Sequence, residues 1–396
     1  MTPVRSGCVG RLPGLLLGLL MICNSVQADE AILSNKQYSL SSKALAEVLP
    51  PEKWKQVEGS VDRALAWLAP QQEADGSFPT LPTGQPAVTS FCILAFLSRG
   101  HQPGLGPYGQ QLNRAIDFVV SCQKPDGLFS YETPEDHYIS RHASHTAAYN
   151  HAIAGLMLGE VYGHVTGPRA KAVRKAIETA LQFTRNLQAR PKDNPLDKGG
   201  WRYLQFKGNG EPDSDLSVTA WQLMFLRSAR NAEFNVPQAY VDEAVKYVRR
   251  CWDPTQGVFT YGRTGSGGYY ESSRGMMGAG ILSLSMAGQH QTPVARAAGD
   301  WLLAHPYKGF GEPIGGNDRF FYSSYHCSQA AMQLGGRYWE GIFPPLVNAM
   351  LSAQSPDGSW PAEPNHGDAM YGNAYTTAMA VLSLTPPYQL LPVYQK

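Results

Sequence analysis

Charge is scarce in this sequence. Only 16% of its 396 residues are Asp, Glu, Lys or Arg, and the formal net charge is +1. That balance offers no basic face for nucleic acid and no strong attraction to an anionic membrane. Long apolar runs are missing as well. The stretch from Leu12 to Ile22 is too short, and too interrupted by Pro13, Gly14 and Gly18, to span a bilayer. No Cys-x-x-Cys pair occurs among the six cysteines, so no zinc site is expected. The period-two alternation of half-buried strands is also absent.

The first residues nevertheless read as a leader. Arg5 and Arg11 supply a basic start, Leu12 to Ile22 an apolar core, and Val26-Gln27-Ala28 a small-residue cleavage site. Residues 1–28 are therefore expected to be a signal peptide and the mature protein to be exported, either periplasmic or secreted. Losing the two leader arginines turns the formal charge to −1. Export permits disulfides. Cys92, Cys122, Cys251 and Cys327 are widely spaced, however, and mostly lie in or against apolar helical runs. Buried free thiols are expected.

What the chain has is a repeat. Gln71-Gln72-Glu73-Ala74-Asp75-Gly76-Ser77-Phe78 returns as Gln123-Lys124-Pro125-Asp126-Gly127-Leu128-Phe129 and as Gln354-Ser355-Pro356-Asp357-Gly358-Ser359-Trp360. Degenerate copies are Gly199-Gly200-Trp201, Gln256-Gly257-Val258-Phe259 and Lys308-Gly309-Phe310-Gly311. A spacing of roughly fifty residues accommodates two helices and two connections. Asp-Gly is turn chemistry, with glycine in a left-handed conformation, and all six glycines are expected to matter for that reason. The following aromatic can anchor the turn between helices. The preceding Gln can hydrogen-bond exposed backbone at helix ends.

Two kinds of helix alternate with these turns. Before a copy lies an amphipathic one, as in Val61, Leu65, Leu68, in Leu112, Ile116, Val119, or in Val241, Val245, Val248. After it lies one that is apolar nearly all round, as in Phe91 to Leu97, Ala152 to Leu158 or Met276 to Met286. The first kind has one wet side and the second has none. Two concentric rings follow: an all-α (α/α)6 toroid of six helix-pair repeats over residues 52–385. Residues 29–51 would be an N-terminal extension and 386–396 a C-terminal tail.

The repeated phrase resembles the hallmark of the prenyltransferase and squalene-cyclase repeat family, a Gln-x-x-Asp-Gly-Ser-Trp type of repeat. The resemblance covers nearly all of the mature chain and implies the toroid of terpenoid cyclases and protein prenyltransferase β subunits. It is specific for fold and weak for reaction, because function lives in sites grafted on folds. Squalene-hopene cyclases carry Asp-x-Asp-Asp-Thr-Ala, whose middle Asp protonates a terminal alkene. Here the stretch reads Asp213-Ser214-Asp215-Leu216-Ser217-Val218-Thr219-Ala220. Matched on Asp-x-Asp, Asp215 is the acid and Asp213 its partner. Matched on Thr-Ala, Ser217 holds the acid position and Asp215 a supporting one. The final Asp is missing either way. The Asp-x-Cys zinc pair of the prenyltransferases and an Asp-Asp-x-x-Asp magnesium site are absent too, so no metal and no cofactor is expected.

In a toroid the N-terminal ends of the inner helices converge on one mouth, where they present free N–H groups and positive dipole. The candidates there are His145 and Tyr149 on the second inner helix and Asp213, Asp215, Trp201 and Trp221 at the third. Tyr270 and Arg274 follow at the fourth, Tyr322, Tyr325 and His326 at the fifth, and Tyr371 and Tyr375 at the sixth. Asp213, Asp215 and His145 are the catalytic candidates, and the others are candidates for substrate binding. His145 and His151 are six residues apart and face different sides of a helix, so they do not share a metal. Gly104-Leu105-Gly106-Pro107-Tyr108-Gly109 follows no strand and is read as a turn.

Three readings of function remain. One is an acid-initiated cyclase or isomerase on an isoprenoid. The second is a carbohydrate-active lyase or hydrolase with His145, Tyr322 and Arg274 as base, acid and carboxylate anchor. The third is a non-catalytic toroid that binds a ligand or a protein. All use a ligand in the central cavity, with no nucleic acid and no integral membrane span. The lining of that cavity discriminates among them.

Overall fold

The computed structural model describes residues 47–204, 212–263, 273–315, 318–363 and 367–395. The expected signal peptide (1–28), most of the expected extension (29–51) and Tyr270 lie outside the described residues.

Six helix pairs follow one another. They are α1 (Pro51–Leu68) with α2 (Ala87–Ser98), α3 (Gly109–Ser121) with α4 (Ala143–Val161), and α5 (Gly167–Gln188) with α6 (Leu216–Asn231). Then come α7 (Gln238–Arg250) with α8 (Arg274–Met286), α9 (Pro293–Ala304) with α10 (Phe320–Leu334), and α11 (Gly336–Ser352) with α12 (Gly372–Leu384). Among the described residues the named strands are one short hairpin, β1 (Trp252–Asp253) against β2 (Val258–Phe259).

Helices α2, α4, α6, α8, α10 and α12 pack side by side in that order, and α12 returns to α2. Outside them α11 packs on α1. The ring is closed, as an (α/α)6 toroid requires. The two helix types behave as their sequences dictate. Outer α1 buries a stripe that includes Val57, Val61, Ala64, Leu65 and Leu68, whereas inner α2 buries every residue from Ala87 to Ser98. The described cysteines Cys92, Cys122, Cys251 and Cys327 are all buried free thiols.

The repeat phrase builds a joint between neighbouring outer helices. The Gln72 amide donates to Gly76 O in its own turn (3.0 Å) and to Gln111 O in α3 (2.9 Å). Gln123 makes the same bridge to Gly127 O and to Ala176 O in α5, and Gln354 bridges Gly358 O and Ser60 O in α1. Gln188 does so from the degenerate third copy, to Gly199 O and Tyr240 O. The anchors Phe78, Phe129, Trp201, Phe259 and Trp360 are fully buried. Their backbone is fastened to the inner ring: Thr89, Thr219 and Thr377 hydroxyls accept from the N–H of Phe78, Trp201 and Trp360. In the second copy His151 Nδ1 takes that role, accepting from Phe129 N at 3.2 Å, while its Nε2 meets Thr184 Oγ1 at 2.9 Å. His151 is therefore a structural histidine.

The glycines of the repeated turns are not all confined in the same way. Gly76, Gly127, Gly199 and Gly358 have φ between +89° and +97°, and a Cβ on any of them would lie 2.2–2.7 Å from a carbonyl oxygen of the next outer helix. Gly257 has φ +68° but meets nothing within 4 Å, and an added Cβ at Gly309 meets only the Glu312 side chain. In those two copies the turn stands clear of its neighbour.

Beyond α12 the chain crosses the end of the ring where α4, α6 and α10 have their C-terminal halves. Glu160 accepts from Ser228 Oγ (2.6 Å) and Val393 N (3.2 Å), Gln333 donates to Tyr394 O (2.6 Å), and the Tyr394 and Tyr325 hydroxyls are hydrogen-bonded. This closes one end and leaves the N-terminal ends of the inner helices to form a cavity.

The joint makes a contrast that can be measured. Gly358→Val places a β-branched residue at φ +97° with Arg63 O in its way, so a loss of about 1–3 kcal/mol or more is expected. Gly257→Ala, strained in φ alone, should lose about 1 kcal/mol. Urea unfolding of both variants checks the order; equal losses would contradict the joint.

Candidate active site

The inner-helix N-termini surround a cavity of about 510 Å³. Its floor is apolar: Val88, Phe91, Ile153, Trp221 and Met276 line it, with Phe91 and Trp221 edge to face at 5.3 Å. Beneath Trp221, Tyr325 stacks at 5.2 Å and 15°. The walls are polar. Arg141, Arg202 and Arg319 line them with His145, and the tyrosines are Tyr138, Tyr149, Tyr203, Tyr261, Tyr322, Tyr371 and Tyr375. Among the described lining residues there is no Asp or Glu. Arg141, Arg319 and several helix N-termini thus bring positive charge to the cavity, while Arg202 is paired with Asp215 behind the wall.

Local structure explains each placement. Ser217 is the second residue of α6 and faces the cavity, where Tyr149 Oη donates to its Oγ at 3.2 Å and Tyr322 Oη lies 2.9 Å away. Asp215 is the N-cap of the same helix. Its Oδ1 accepts from Val218 N (2.7 Å) and its Oδ2 from Arg202 Nη1 (3.1 Å). Asp215 is fully buried. Burial pushes its carboxyl up to about 6, against the opposing pull of Arg202, Val218 N–H and Tyr261. Ser217 thus faces the cavity and Asp215 lies behind it.

Asp213 does not pair with Asp215. Its carboxylate accepts from Asp193 N (2.7 Å), and its own N–H donates to Asp197 (2.8 Å), so it fastens a loop. The upward shift at Asp215 comes from burial and not from a second carboxylate. Trp201 is the buried turn anchor, donating from Nε1 to Thr184 O at 2.9 Å. Arg274 is also buried. Its guanidinium pairs with Asp318 (Nε to Oδ2, 2.8 Å) and lies 4.1 Å over the Tyr307 ring, so it does not serve as a carboxylate anchor in the cavity. Tyr325 and His326 sit behind the wall. His326 Nδ1 bonds Tyr322 O at 3.0 Å, and its ring lies 5.1 Å from Trp221. Of the candidates read from sequence, His145, Tyr149, Trp221, Tyr322, Tyr371 and Tyr375 meet around the cavity.

His145 is defined by its contacts. Nδ1 accepts from Arg141 N at 2.9 Å, which assigns the proton to Nε2. Burial, then the charges of Arg202, Arg319 and Arg141, lower its pKa to about 4. At neutral pH it is an uncharged N–H donor and not the base that sequence reasoning expected. Arg141 itself holds a left-handed backbone, φ 69°, to aim this N–H.

Sequence reasoning missed Arg141, Arg202, Arg319, Tyr138, Tyr203 and Tyr261. A signal existed for two of them. Tyr203 and Tyr261 each stand two residues after a buried anchor, in Trp201-Arg202-Tyr203 and Phe259-Thr260-Tyr261. An extended exit from the turn carries the second residue to the cavity wall.

Fold comparison agrees with this architecture. The type II terpene cyclase MstE from Scytonema with geranylgeranyl dihydroxybenzoate matches at 17% identity and TM-score 0.54, covering 86% of this chain and 99% of that one. The same enzyme with merosterolic acid A matches at 18% identity and TM-score 0.52, covering 87% and 100%. A GH76 α-mannanase from Bacteroides thetaiotaomicron matches at 12% identity and TM-score 0.58, covering 84% and 96%. No family model and no curated protein matches the chain. The chain is a terpenoid-cyclase-like α-helical toroid. Among its described residues no helix is long and apolar enough to cross a membrane, and no group of three or more His, Cys, Asp or Glu could hold a metal ion.

The buried histidines set an acid limit. His145 and His326 are lowered to about 4 and His151 to about 3. The stability they give is complete above about 6.5 and is lost as pH falls from there toward 4. Asp215, raised to about 6, and Glu160, raised by burial to about 7, act in the opposite sense, stabilising increasingly as pH falls. His145→Gln removes one proton from the first group. Its unfolding free energy should fall less steeply than wild type between pH 6.5 and 4.5, and an identical slope would contradict the neutral buried imidazole.

Proposed function

We propose that the cavity is the active site of an exported enzyme that cleaves a carboxylate-bearing glycan by β-elimination. The carrying observation is the lining: three arginines, a histidine N–H donor and seven tyrosines over an apolar floor, with no carboxylate among the described lining residues. Glycoside hydrolysis of the common kind needs two carboxylates flanking the bond. Alkene protonation needs a strong acid facing the substrate, and Ser217 occupies that place. Eliminating a 4-linked uronate needs other groups: cations on the carboxylate to acidify the α-hydrogen, a base to remove it, and a donor for the departing oxygen. Arg141 and Arg319 are placed for the first task. The Tyr149 and Tyr322 phenols, joined through Ser217, suit the last. Aromatic faces on the floor suit sugar rings. Two matching toroids, by name an α-mannanase and a glycosidase, point to carbohydrate. The leader motif at residues 1–28 fits an extracellular polymer as substrate.

A second reading is supported by the Phe91–Trp221 floor and by MstE, whose bound substrate joins a geranylgeranyl chain to a dihydroxybenzoate. On that reading the arginines hold the acidic head of an isoprenoid acid.

A panel of polyuronates, followed by the ultraviolet absorbance of the unsaturated product, tests the proposal. At least one should be cleaved. Arg141→Ala should lower kcat/KM by about 10- to 100-fold, the loss of a contact to charge worth ~1.5–3 kcal/mol. No cleavage of any polyuronate, together with conversion of a prenylated aromatic acid, would replace the first reading with the second.

A further inference from the structure

The inner helices wall the cavity on every side. Phe91 lines it from α2, Tyr149 from α4, Ser217 from α6, Met276 from α8, Tyr322 from α10 and Tyr375 from α12. The connections leading into these helices add the rim. Thr83 stands before α2, Arg141 before α4, Arg319 before α10 and Tyr371 before α12. Among the described residues each of the six repeats thus closes its own sector.

The axis is blocked below. Phe91 and Trp221 form the floor, Tyr325 stacks under Trp221 at 5.2 Å, and its hydroxyl is hydrogen-bonded to that of Tyr394 in the C-terminal tail. Both hydroxyls also reach Met224 Sδ, at 3.8 and 3.7 Å. The tail is fastened to α4 through Glu160, to α6 through Asn231 and to α10 through Gln333. The cavity is therefore a blind pit, entered along the ring axis. We propose that this pit takes polyuronates by a chain end, so that the enzyme is exolytic and releases fragments of a few sugars. This rests on the β-elimination reading above.

Geometry separates chain-end attack from cutting within the chain. An internal cut needs a groove open at both ends, so that the polymer runs on in two directions. A pit open at one end holds one terminus. To present an interior bond there, a polymer would have to double back. Six helices spaced ~8–10 Å apart and ~10–12 Å thick leave a bore on the order of 8 Å. That admits one file of sugar rings and not two side by side. The volume of about 510 Å³ agrees, being that of a small-ligand site with space for a few sugars.

The charges suit the same entry. Helices α4 and α10 stand opposite each other in the ring, so Arg141 and Arg319 enter from opposite sides of the rim. The apolar floor lies deeper. A terminal sugar then meets ring faces at the floor, while a carboxylate higher up meets the arginines. The elimination balances within the substrate. The C–H bond beside the carboxylate breaks and its electron pair becomes the new C=C bond. The C–O bond to the departing sugar breaks and its pair leaves with oxygen. The proton lost from carbon is matched by the one that this oxygen gains, so no co-reactant is consumed.

Counting chain ends against chain mass tests the proposal. One polyuronate is compared, at equal mass, with an acid hydrolysate of itself that carries about ten times as many ends. With the whole protein and substrate well below saturation, the rate follows the concentration of productive sites, so the hydrolysate should react about tenfold faster. Short fragments should appear from the first time points, and viscosity should fall late. Equal rates on the two samples, with an early fall in viscosity, would overturn chain-end entry and leave β-elimination standing. If the samples bind without being cleaved, calorimetric stoichiometry decides: sites that scale with chain ends support the proposal, and sites that scale with total uronate overturn it. If neither sample binds nor is cleaved, the glycan reading fails and chain-end entry fails with it.

Discussion

The toroid depends on one joint, a glutamine amide that donates to its own turn and to the backbone of the next outer helix. The amide has two N–H groups and spends one on each. Two outer helices are thereby held at a fixed spacing, and glycine is needed because the turn lies against a helix carbonyl where no Cβ fits. The Gln354 joint to Ser60 connects the last repeat with the first across nearly the whole chain. It converts a stack of helix pairs into a closed ring. Where the joint is degenerate, around Gly257 and Gly309, the turns stand clear of their neighbours.

Closure has an electrostatic consequence. All six inner helices point their N-termini to the same end, so positive dipole accumulates there. The C-terminal tail covers the other end through Val393 and Tyr394. Added arginines at the open end strengthen a potential that the fold already sets. An aspartate in that field is drawn to cap a helix and pair with a cation, which is what Asp215 does. A cavity so built favours ligands that bring the negative charge themselves.

The fold was legible because its information is local and repeated. Six turn phrases, one-sided helices before them and two-sided helices after them define two rings without any long-range evidence. The site was legible in part. His145, Tyr149, Trp221, Tyr322, Tyr371 and Tyr375 were found because inner-helix N-termini must converge. Trp201 and Arg274 were misplaced because an aromatic or an arginine near such an end can turn outward to the joint or to a buried carboxylate, and sequence does not encode which. The Asp213 side chain was assigned to an acid pair on spacing alone, whereas extended backbone sends residues two apart in one direction only if no loop competes for them. Asp193 N competes here. Arg141 and Arg319 lie in connections, where no periodicity marks a facing direction.

The central claim is that the cavity selects a ligand by its carboxylate. Calorimetric titration of one oligouronide, alongside the same oligosaccharide with its carboxylates reduced to alcohols, addresses that claim most directly. The account predicts that the acidic form binds at least about tenfold more tightly, a contribution of ~1.4 kcal/mol or more from charge-assisted contacts, with an affinity that weakens as salt is raised. Equal affinity for the two forms, independent of salt, would contradict it.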